Sequence, residues 1–417
     1  MERTLNAPQV AALLVSASYG IGFLLGSGEM AVEHGMAGSI YGLATAIGML
    51  SMATFAARIW RSSIAIWDLF GQAYGESTKK TIASLSVIWM AGVLAAQIHG
   101  GVAIVKLMGL NGVWAQAWVL LGIFTASRLK LKAASTVFSV FFIWSSLVLI
   151  LALVNSGGVG AYLNSPSRFL SDIPSLGWGA AISITLAVVA LVCTGADYHQ
   201  FLLAAKQPSS AISGCLLAGA TLLALSFLPA SVVLGFKEAG HPVALGDAKQ
   251  IVPFILSKEA GHFGKVFSSA LLAGLCAAAM GSGAAITRAM TDALRSAAGG
   301  SRLAKPPVLS VAALGMAFML TVRGQGIIPT MVSVNVIYIA SIAVVFMALL
   351  KGRTLTTAQA AGVMGAGFAT SAAIYVGSWV TLASWDTDLT SLIGGLVASS
   401  AIWNAISWLR ARKCALN

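Results

Sequence analysis

The chain has 417 residues, of which 58% are hydrophobic and 9% charged. Soluble globular proteins carry about 25% charged residues, so this composition excludes an ordinary water-soluble enzyme. Lys and Arg outnumber Asp and Glu by 25 to 13, a net charge of +12, but the basic residues are too scattered to form a nucleic-acid surface. Apolar runs recur from end to end with no polar region between them, which reads as one integral membrane domain spanning 1–417.

The first apolar stretch begins near Pro8 and ends at Glu29. It is too long for the core of a signal peptide and lacks a small-residue cleavage site, so it is expected to be a retained helix. A crossing helix needs about 20 mostly apolar residues. Twelve windows qualify: 8–31, 36–57, 81–108, 112–127, 131–155, 178–200, 208–236, 264–287, 306–323, 326–350, 357–383 and 389–409. Pro229 is the proline that falls well inside a window, and the 237–265 loop is long enough to carry structure of its own. With the N-terminus placed inside, 18 of the 25 Lys and Arg fall in cytoplasmic segments and 7 in outer ones. Basic enrichment on the cytoplasmic side sets orientation, so both termini are expected in the cytoplasm, with the chain in a plasma membrane such as a bacterial inner membrane.

Two windows carry signs of interruption. The first reads Ser16-Ala17-Ser18-Tyr19-Gly20-Ile21-Gly22, then Gly26, Gly28 and the acid Glu29. Each interior glycine costs about 1 kcal/mol of helix propensity. Unwound backbone at membrane depth is tolerated where it lines a cavity or is buried in protein. The alternative is that the small residues allow close helix packing. The sixth window ends Cys193-Thr194-Gly195-Ala196-Asp197-Tyr198-His199-Gln200. Paired interruptions in corresponding helices of two halves point to a transporter built from inverted repeats.

Following the sixth window, Gln200 to Lys206, leading into Ser210, Ser213 and Gly214, resembles a conserved segment of the sodium:solute symporter family, the sodium/glucose and sodium/proline cotransporters. Three further regions agree with that family: Gly26 to Gly48 with Gly35, Gly38, Tyr41 and Gly42; Ile66 to Phe70 followed by Tyr74 and Gly75; and Asp247 to Pro253, then Gly264 to Phe267 and a small-residue helix ending at Leu294. The resemblance implies an all-α integral membrane protein of the leucine-transporter fold with about 12 transmembrane helices. Its halves would be 8–155 and 178–350, followed by two additional helices at 357–410, and the core would begin directly at the first window. Solute would be held between broken helices 1 and 6.

The resemblance also implies a sodium site made from the carbonyls of Ser16 and Tyr19 and from two hydroxyls on the eighth helix. An ungapped alignment puts Cys276 and Ala277 at those hydroxyl positions, with Ala273 one turn earlier, whereas a one-gap register brings in Ser282. Sodium is a hard cation that wants oxygen ligands, so a proton on a carboxylate or imidazole is the other coupling ion to consider. Glu29, His99, Asp197 and His199 are the ionisable residues inside the windows that could serve. A further departure is Phe201, where the family carries Arg.

The function expected is a secondary active transporter, a cation-coupled symporter importing a small polar organic solute by alternating access. Substrate-binding candidates are Tyr19, Gly20, Gly22, Trp89, Gln97, Thr194 and Gly195; ion-coupling candidates are Ser16, Tyr19, Ala273, Cys276, Ala277, Ser282, Glu29 and Asp197. The alternatives are a proton-coupled amino-acid or polyamine-type permease of the same fold and a solute-sensing membrane domain. The tail after the last window leaves little room for the signalling module a sensor would need. An enzyme is not expected, because no HExxH, GxSxG or clustered His/Asp pattern is present. Cys193, Cys215, Cys276 and Cys414 show no CxxC spacing, and no metal, cofactor or nucleic acid is called for. Trp60, Trp114, Trp118, Trp178 and Trp408 fall near window ends and read as interfacial anchors.

Overall fold

The computed structural model describes all residues except 1, 2, 21, 130, 242–246, 263, 299–304, 322–325, 354, 382–385 and 417. Of the charges used above for orientation, Lys130, Arg302 and Arg323 lie outside the described residues. So do the side chains of Lys132, Arg410 and Lys413, and that of Cys414. The described residues are almost wholly helical.

Helix α1, Ala7–Ser18, is started by Asn6, whose side chain accepts from the Gln9 amide while Gln9 answers on the Asn6 amide; Pro8 sits in the first turn. These two features satisfy N–H groups that would otherwise face lipid headgroups unpaired. After α1 come the π-helical Gly22–Gly26 and α2, Ser27–His34. A 3-10 turn, Gly35–Ser39, leads into α3, Ile40–Ala53. The short α4, Ala56–Ser62, and α5, Ile66–Tyr74, precede the long α6, Glu76–Leu107. Then follow α7, Val113–Ser127, and α8, Leu131–Asn155.

Between windows five and six the chain forms α9, Val159–Leu163, and α10, Ser165–Leu176. These helices are not legible as membrane spans because α10 is polar on one side. It is anchored by Asp172, whose carboxylate accepts from the Met36 amide at 2.8 Å. Window six divides into α11, Trp178–Thr194, and α12, Ala196–Leu203. Window seven divides too, into α13, Pro208–Leu225, and α14, Leu228–Glu238. Pro229 therefore opens a helix rather than interrupting one, since a first-turn proline has no intrahelical N–H to lose. The 237–265 loop contains α15, Ile251–Gly261. The chain then runs through α16, Lys265–Ala297; α17, Pro306–Thr321; α18, Ile327–Leu350; α19, Thr357–Thr381; and α20, Thr387–Leu416.

Among the described residues, eight stretches are long and apolar enough to cross a bilayer by length and composition, and four shorter apolar helices lie at Ala7–Ser18, Val113–Ser127, Ser146–Asn155 and Pro306–Thr321. Together they fall in the twelve windows read from the sequence. Two groups of helices pack mainly within themselves: α1, α3, α11 and α13 form one, and α6, α7, α16 and α17 the other. Helix α18 touches both groups, through α11 and α6. The pair α19 and α20 packs on α18 at the periphery. In their apolar windows 28% and 22% of residues are buried, against 78% in the Gly22–Ala53 stretch, so these last two helices present most of their surface outward.

Close backbone approach at the turn between α2 and α3 depends on Gly38. A Cβ there would lie 2.6 Å from the Ala31 nitrogen and 2.7 Å from the Ser27 carbonyl oxygen, and neither backbone atom can step aside. Gly38→Val is expected to destabilise the fold by about 1–3 kcal/mol or more, the cost of overpacking a tight contact, read as a lowered melting temperature of the detergent-solubilised protein.

Candidate functional site

The first break begins where α1 stops at Ser18. Tyr19 leaves helical geometry at φ −76° and ψ 32°, and Ile21 lies outside the described residues. The chain resumes in the π-helical turn from Gly22, with the Leu24 amide donating to the Gly20 carbonyl at 3.0 Å. The second break is a single extended residue, Gly195, at φ −71° and ψ 120° between α11 and α12. Its carbonyl accepts from the amides of Tyr198 and His199 at 3.1 and 3.0 Å, which caps the start of α12.

Helix α16 satisfies part of the first break. The Ser282 hydroxyl donates to the Ala17 carbonyl at 2.7 Å. Gly20 is pressed between neighbours, since a Cβ built on it would lie 2.7 Å from Ser282 Oγ and 2.9 Å from Gln97 Oε1. One on Gly22 would lie 2.9 Å from the Met331 sulfur and 3.5 Å from the Tyr41 ring. Thus α6, α16, α18 and α3 all reach the interrupted part of the first window. Glycine is required there by close approach rather than by a left-handed backbone.

The second break joins the same centre. Helix α12 packs on α1, whose last residue Ser18 is buried, which ties α12 to the first break. Tyr338 on α18 accepts from the Ser86 hydroxyl at 3.4 Å, while the Thr194 hydroxyl donates back to the Ala190 carbonyl and the buried Trp89 Nε1 has no hydrogen-bond partner. The Trp89 and Tyr338 rings lie 5.5 Å apart. Asn335, one turn before Tyr338, is buried with its Oδ1 unpartnered. Asp197, second residue of α12, is 3% exposed, and its Oδ1 also has no partner.

Of the substrate candidates, then, Tyr19, Gly20, Gly22, Trp89, Gln97, Thr194 and Gly195 lie at the breaks or on the helices that reach them. Ser16 and Tyr19 flank the end of α1, and Ser282 touches the break. At about 100° per residue, Cys276 and Ala277 lie roughly 120° and 140° round α16 from Ser282, and Ala273 lies on the opposite side. Glu29 stands apart, two turns beyond the break, where its carboxylate accepts from the Ile327 amide at 3.0 Å and pairs with Lys249 at 3.8 Å. His99 also lies toward that end, within the field of Lys249 and Asp247. Tyr338, Asn335, Met331 and Ser18 were not singled out from the sequence. On a helix as uniformly apolar as α18, the only signal was the isolated Asn335 and Tyr338 at three-residue spacing.

The centre is closed off from both faces. On the face carrying the N-terminus, the amides of Thr4 and Leu5 both lie 3.0 Å from the Ala204 carbonyl, and the Lys206 amide donates to Leu5 at 2.8 Å. Arg3 donates to the Trp60 carbonyl at 2.8 Å and lies 3.8 Å above its ring, while the indole N–H donates to Ala205. Trp60 is therefore part of a clasp, unlike Trp114, Trp118, Trp178 and Trp408, which are all more than half exposed. Deeper on this side, Phe346 stacks with Phe70 at 6.5 Å and His199 at 6.2 Å. On the opposite face, Glu29 clasps α2 to α18 and to Lys249.

Beside that second clasp is a cavity of about 390 Å³ lined by Glu29, Glu33, His34, Pro329, Asp386 and Asp388 among others. Four carboxylates around one cavity create a negative potential that draws in cations. Among the described residues no three His, Cys, Asp or Glu side chains converge in a way that could hold a metal ion.

No protein-family model and no curated protein matches the sequence. Solved structures do. A Na+-coupled sialic acid symporter in a substrate-bound outward-open state is 11% identical, with a TM-score of 0.73 over 96% of this chain and 89% of that one. Mhp1, a nucleobase-cation-symport-1 family transporter in a closed conformation with bromovinylhydantoin bound, is 14% identical, with a TM-score of 0.61 over 99% and 94%. A manganese transporter of Eremococcus coleocola is 13% identical, with a TM-score of 0.55 over 97% and 93%. At such identities the likeness is one of fold, and the chain has the leucine-transporter fold in an integral membrane protein.

The Ser282 contact makes a direct prediction. Ser282→Ala leaves the Ala17 carbonyl short of a partner in a buried site, which costs about 1–3 kcal/mol. Gly20→Ala forces its methyl against Ser282 and Gln97. Both variants are expected to melt at lower temperature than the parent protein, with Ser282→Gly as harmful as Ser282→Ala and Ser282→Thr milder, because threonine keeps the hydroxyl.

Proposed function

We propose that this protein is a cation-coupled secondary transporter that moves a small polar organic solute across a cytoplasmic membrane by alternating access. The observation that carries this reading is the meeting of two interrupted helices at one buried centre, with the polar side-chain atoms Trp89 Nε1, Asp197 Oδ1 and Asn335 Oδ1 buried and unpartnered on the helices that form it. Membrane-buried backbone without regular hydrogen bonding is stable where it faces other protein or a ligand. The structural relatives support the reading, since they bind sialic acid and a hydantoin and are described in outward-open and closed states. The two helix groups, each packed chiefly on itself, are the bodies that would rock against each other. The clasps at Trp60 and Glu29 would part alternately.

In this proposal the halves are 8–155 and 178–350, with 357–410 outside the repeat, and the family is a divergent branch of the sodium:solute symporters. Solute would meet Tyr19, Gly20, Gly22, Trp89, Gln97, Thr194 and Gly195, joined by Tyr338 and Asn335. The N-terminal face would be cytoplasmic, in keeping with its excess of Lys and Arg. A second reading, an amine-selective permease of the same fold, is favoured by the acidic cavity around Glu33, Asp386 and Asp388. Its negative field would concentrate a cationic or zwitterionic solute.

The test is uptake into proteoliposomes from a metabolite panel including amino acids and amines, under an imposed sodium or proton gradient. Accumulation under one gradient, and its collapse by an ionophore, are expected. Trp89→Ala and Thr194→Ala should each lower uptake tenfold or more, the equivalent of about 1.4 kcal/mol of lost binding. Accumulation of nothing under either gradient, by protein shown to be folded, defeats the proposal.

A further inference from the structure

We infer that the ion exchanged at this centre is a proton carried by Asp197, an inference that rests on the transport reading above. Asp197 follows the extended Gly195 by two residues, so its carboxyl rides on the hinge of α12. It is buried to 3% exposure with Oδ1 unpartnered, and among the described residues none of the ion pairs includes it. A bare carboxylate in such a place is strongly disfavoured by desolvation. Asp197 sits in the first turn of α12, where the helix start favours negative charge, but that offsets only a fraction of the cost of a full buried charge.

The groups that face Asp197 are neutral. Tyr41 from α3, Tyr338 from α18 and Tyr198 from its own helix are buried within electrostatic reach of it, and none of them pairs with its Oδ1. His199 has its Nε2 2.9 Å from the Cys193 carbonyl, an acceptor, so that nitrogen carries its hydrogen. The other titratable or charged groups on elements packed against α12 are Tyr19 just past the end of α1, Arg58 and Arg61 on α4, Cys215 on α13, and Lys265, Cys276, Arg288, Asp292 and Arg295 on α16. Arg58 is engaged with the Leu350 carbonyl and Arg61 is exposed; Arg288 reaches the Ala126 carbonyl at 3.4 Å with its Nε and Nη2 unpartnered, and its field acts on Asp292 of its own helix rather than on Asp197. The charge of Asp197 is thus left to be matched by something that arrives and leaves.

At the first break one freed carbonyl already has its partner within the protein. Ser282 spends its hydroxyl hydrogen on the Ala17 carbonyl, and the space beside Gly20 is too narrow for a methyl group. A hard cation needs several oxygens around it, and here it would have to push the helices apart and break an existing hydrogen bond. A proton needs no such space. The exchange is balanced within the site: the carboxylate takes one proton from one face, is neutral while buried, and returns that proton to the other face when α12 swings about Gly195.

The test uses the purified full chain with protons and sodium alone as probes. Infrared spectra across a pH titration should show a buried carboxylic-acid carbonyl band that fades at alkaline pH. The band should be absent in Asp197→Asn, shifted in Asp197→Glu and retained in Ser282→Ala, and it should be the same in sodium and potassium chloride. A group protonated in the folded protein contributes stability that is lost as pH rises through its folded ionisation point. The parent should therefore lose melting temperature on alkaline titration more steeply than Asp197→Asn. Absence of the band at every pH overturns the inference. So does a sodium-specific rise in melting temperature that Ser282→Ala abolishes and Asp197→Asn keeps; that result leaves the transport reading intact with sodium as the ion. An intact Asp197 band with no accumulation under either gradient overturns both.

Discussion

Every peptide group placed at membrane depth must find a partner inside the protein, and this constraint organises the whole molecule. Among the described residues the apolar windows other than the first and the sixth are not broken at the buried centre, window seven dividing instead between Leu225 and Leu228, and their helices largely satisfy their own backbone. The first and the sixth are, at Tyr19–Gly22 and at Gly195. What surrounds them follows from that. Ser282 is supplied to one freed carbonyl, Gly195 caps the helix that follows it, and small residues at Gly20 and Gly22 let α6, α16 and α18 approach closely enough to close the gap.

The same arrangement explains why the protein can be stable and mobile together. The helices of each packed group bury their apolar surfaces on one another. In the proposed transport cycle the connections that would have to change are few and local: a backbone clasp between Leu5 and Ala204–Lys206 with Arg3 on Trp60, and a carboxylate clasp between Glu29, Ile327 and Lys249. Each is a handful of hydrogen bonds at one face, individually worth about 1 kcal/mol or a little more. Opening one face therefore need not disturb the core. Glu29, an ion-coupling candidate from the sequence, has its carboxylate occupied by the Ile327 amide and Lys249 at one end of α18, and in the proposed cycle it would act as a gate.

Electrostatics divides the molecule unevenly. Acidic side chains are scarce in the chain, yet four of them line one cavity on the face opposite the N-terminus, and another is buried at the second break. In the proposed function the outer group would bias which solutes and ions come near. The inner one is a different matter, because a single carboxyl away from water is sensitive to whatever neutralises it.

Much was legible in the sequence. Hydropathy alone located all twelve apolar windows, because a bilayer imposes a length and polarity rule that single-sequence patterns obey. Glycine spacing marked the two breaks, since a run such as Gly20, Gly22 and Gly26 disfavours a continuous helix at any depth. What the sequence could not decide was which side chains face the breaks. On an apolar helix such as α16, Cys276, Ala277 and Ser282 are equally plausible neighbours of the first break until the rotation of the helix is known, and a shift of one residue turns a side chain by about 100°. Tyr338 and Asn335, more than 130 residues beyond the second break, join it only through the packing of α18 against α6 and α11. Periodicity records that a helix crosses the membrane; which way it is turned is set by contacts with helices far away in the chain, and those exist only in the folded protein.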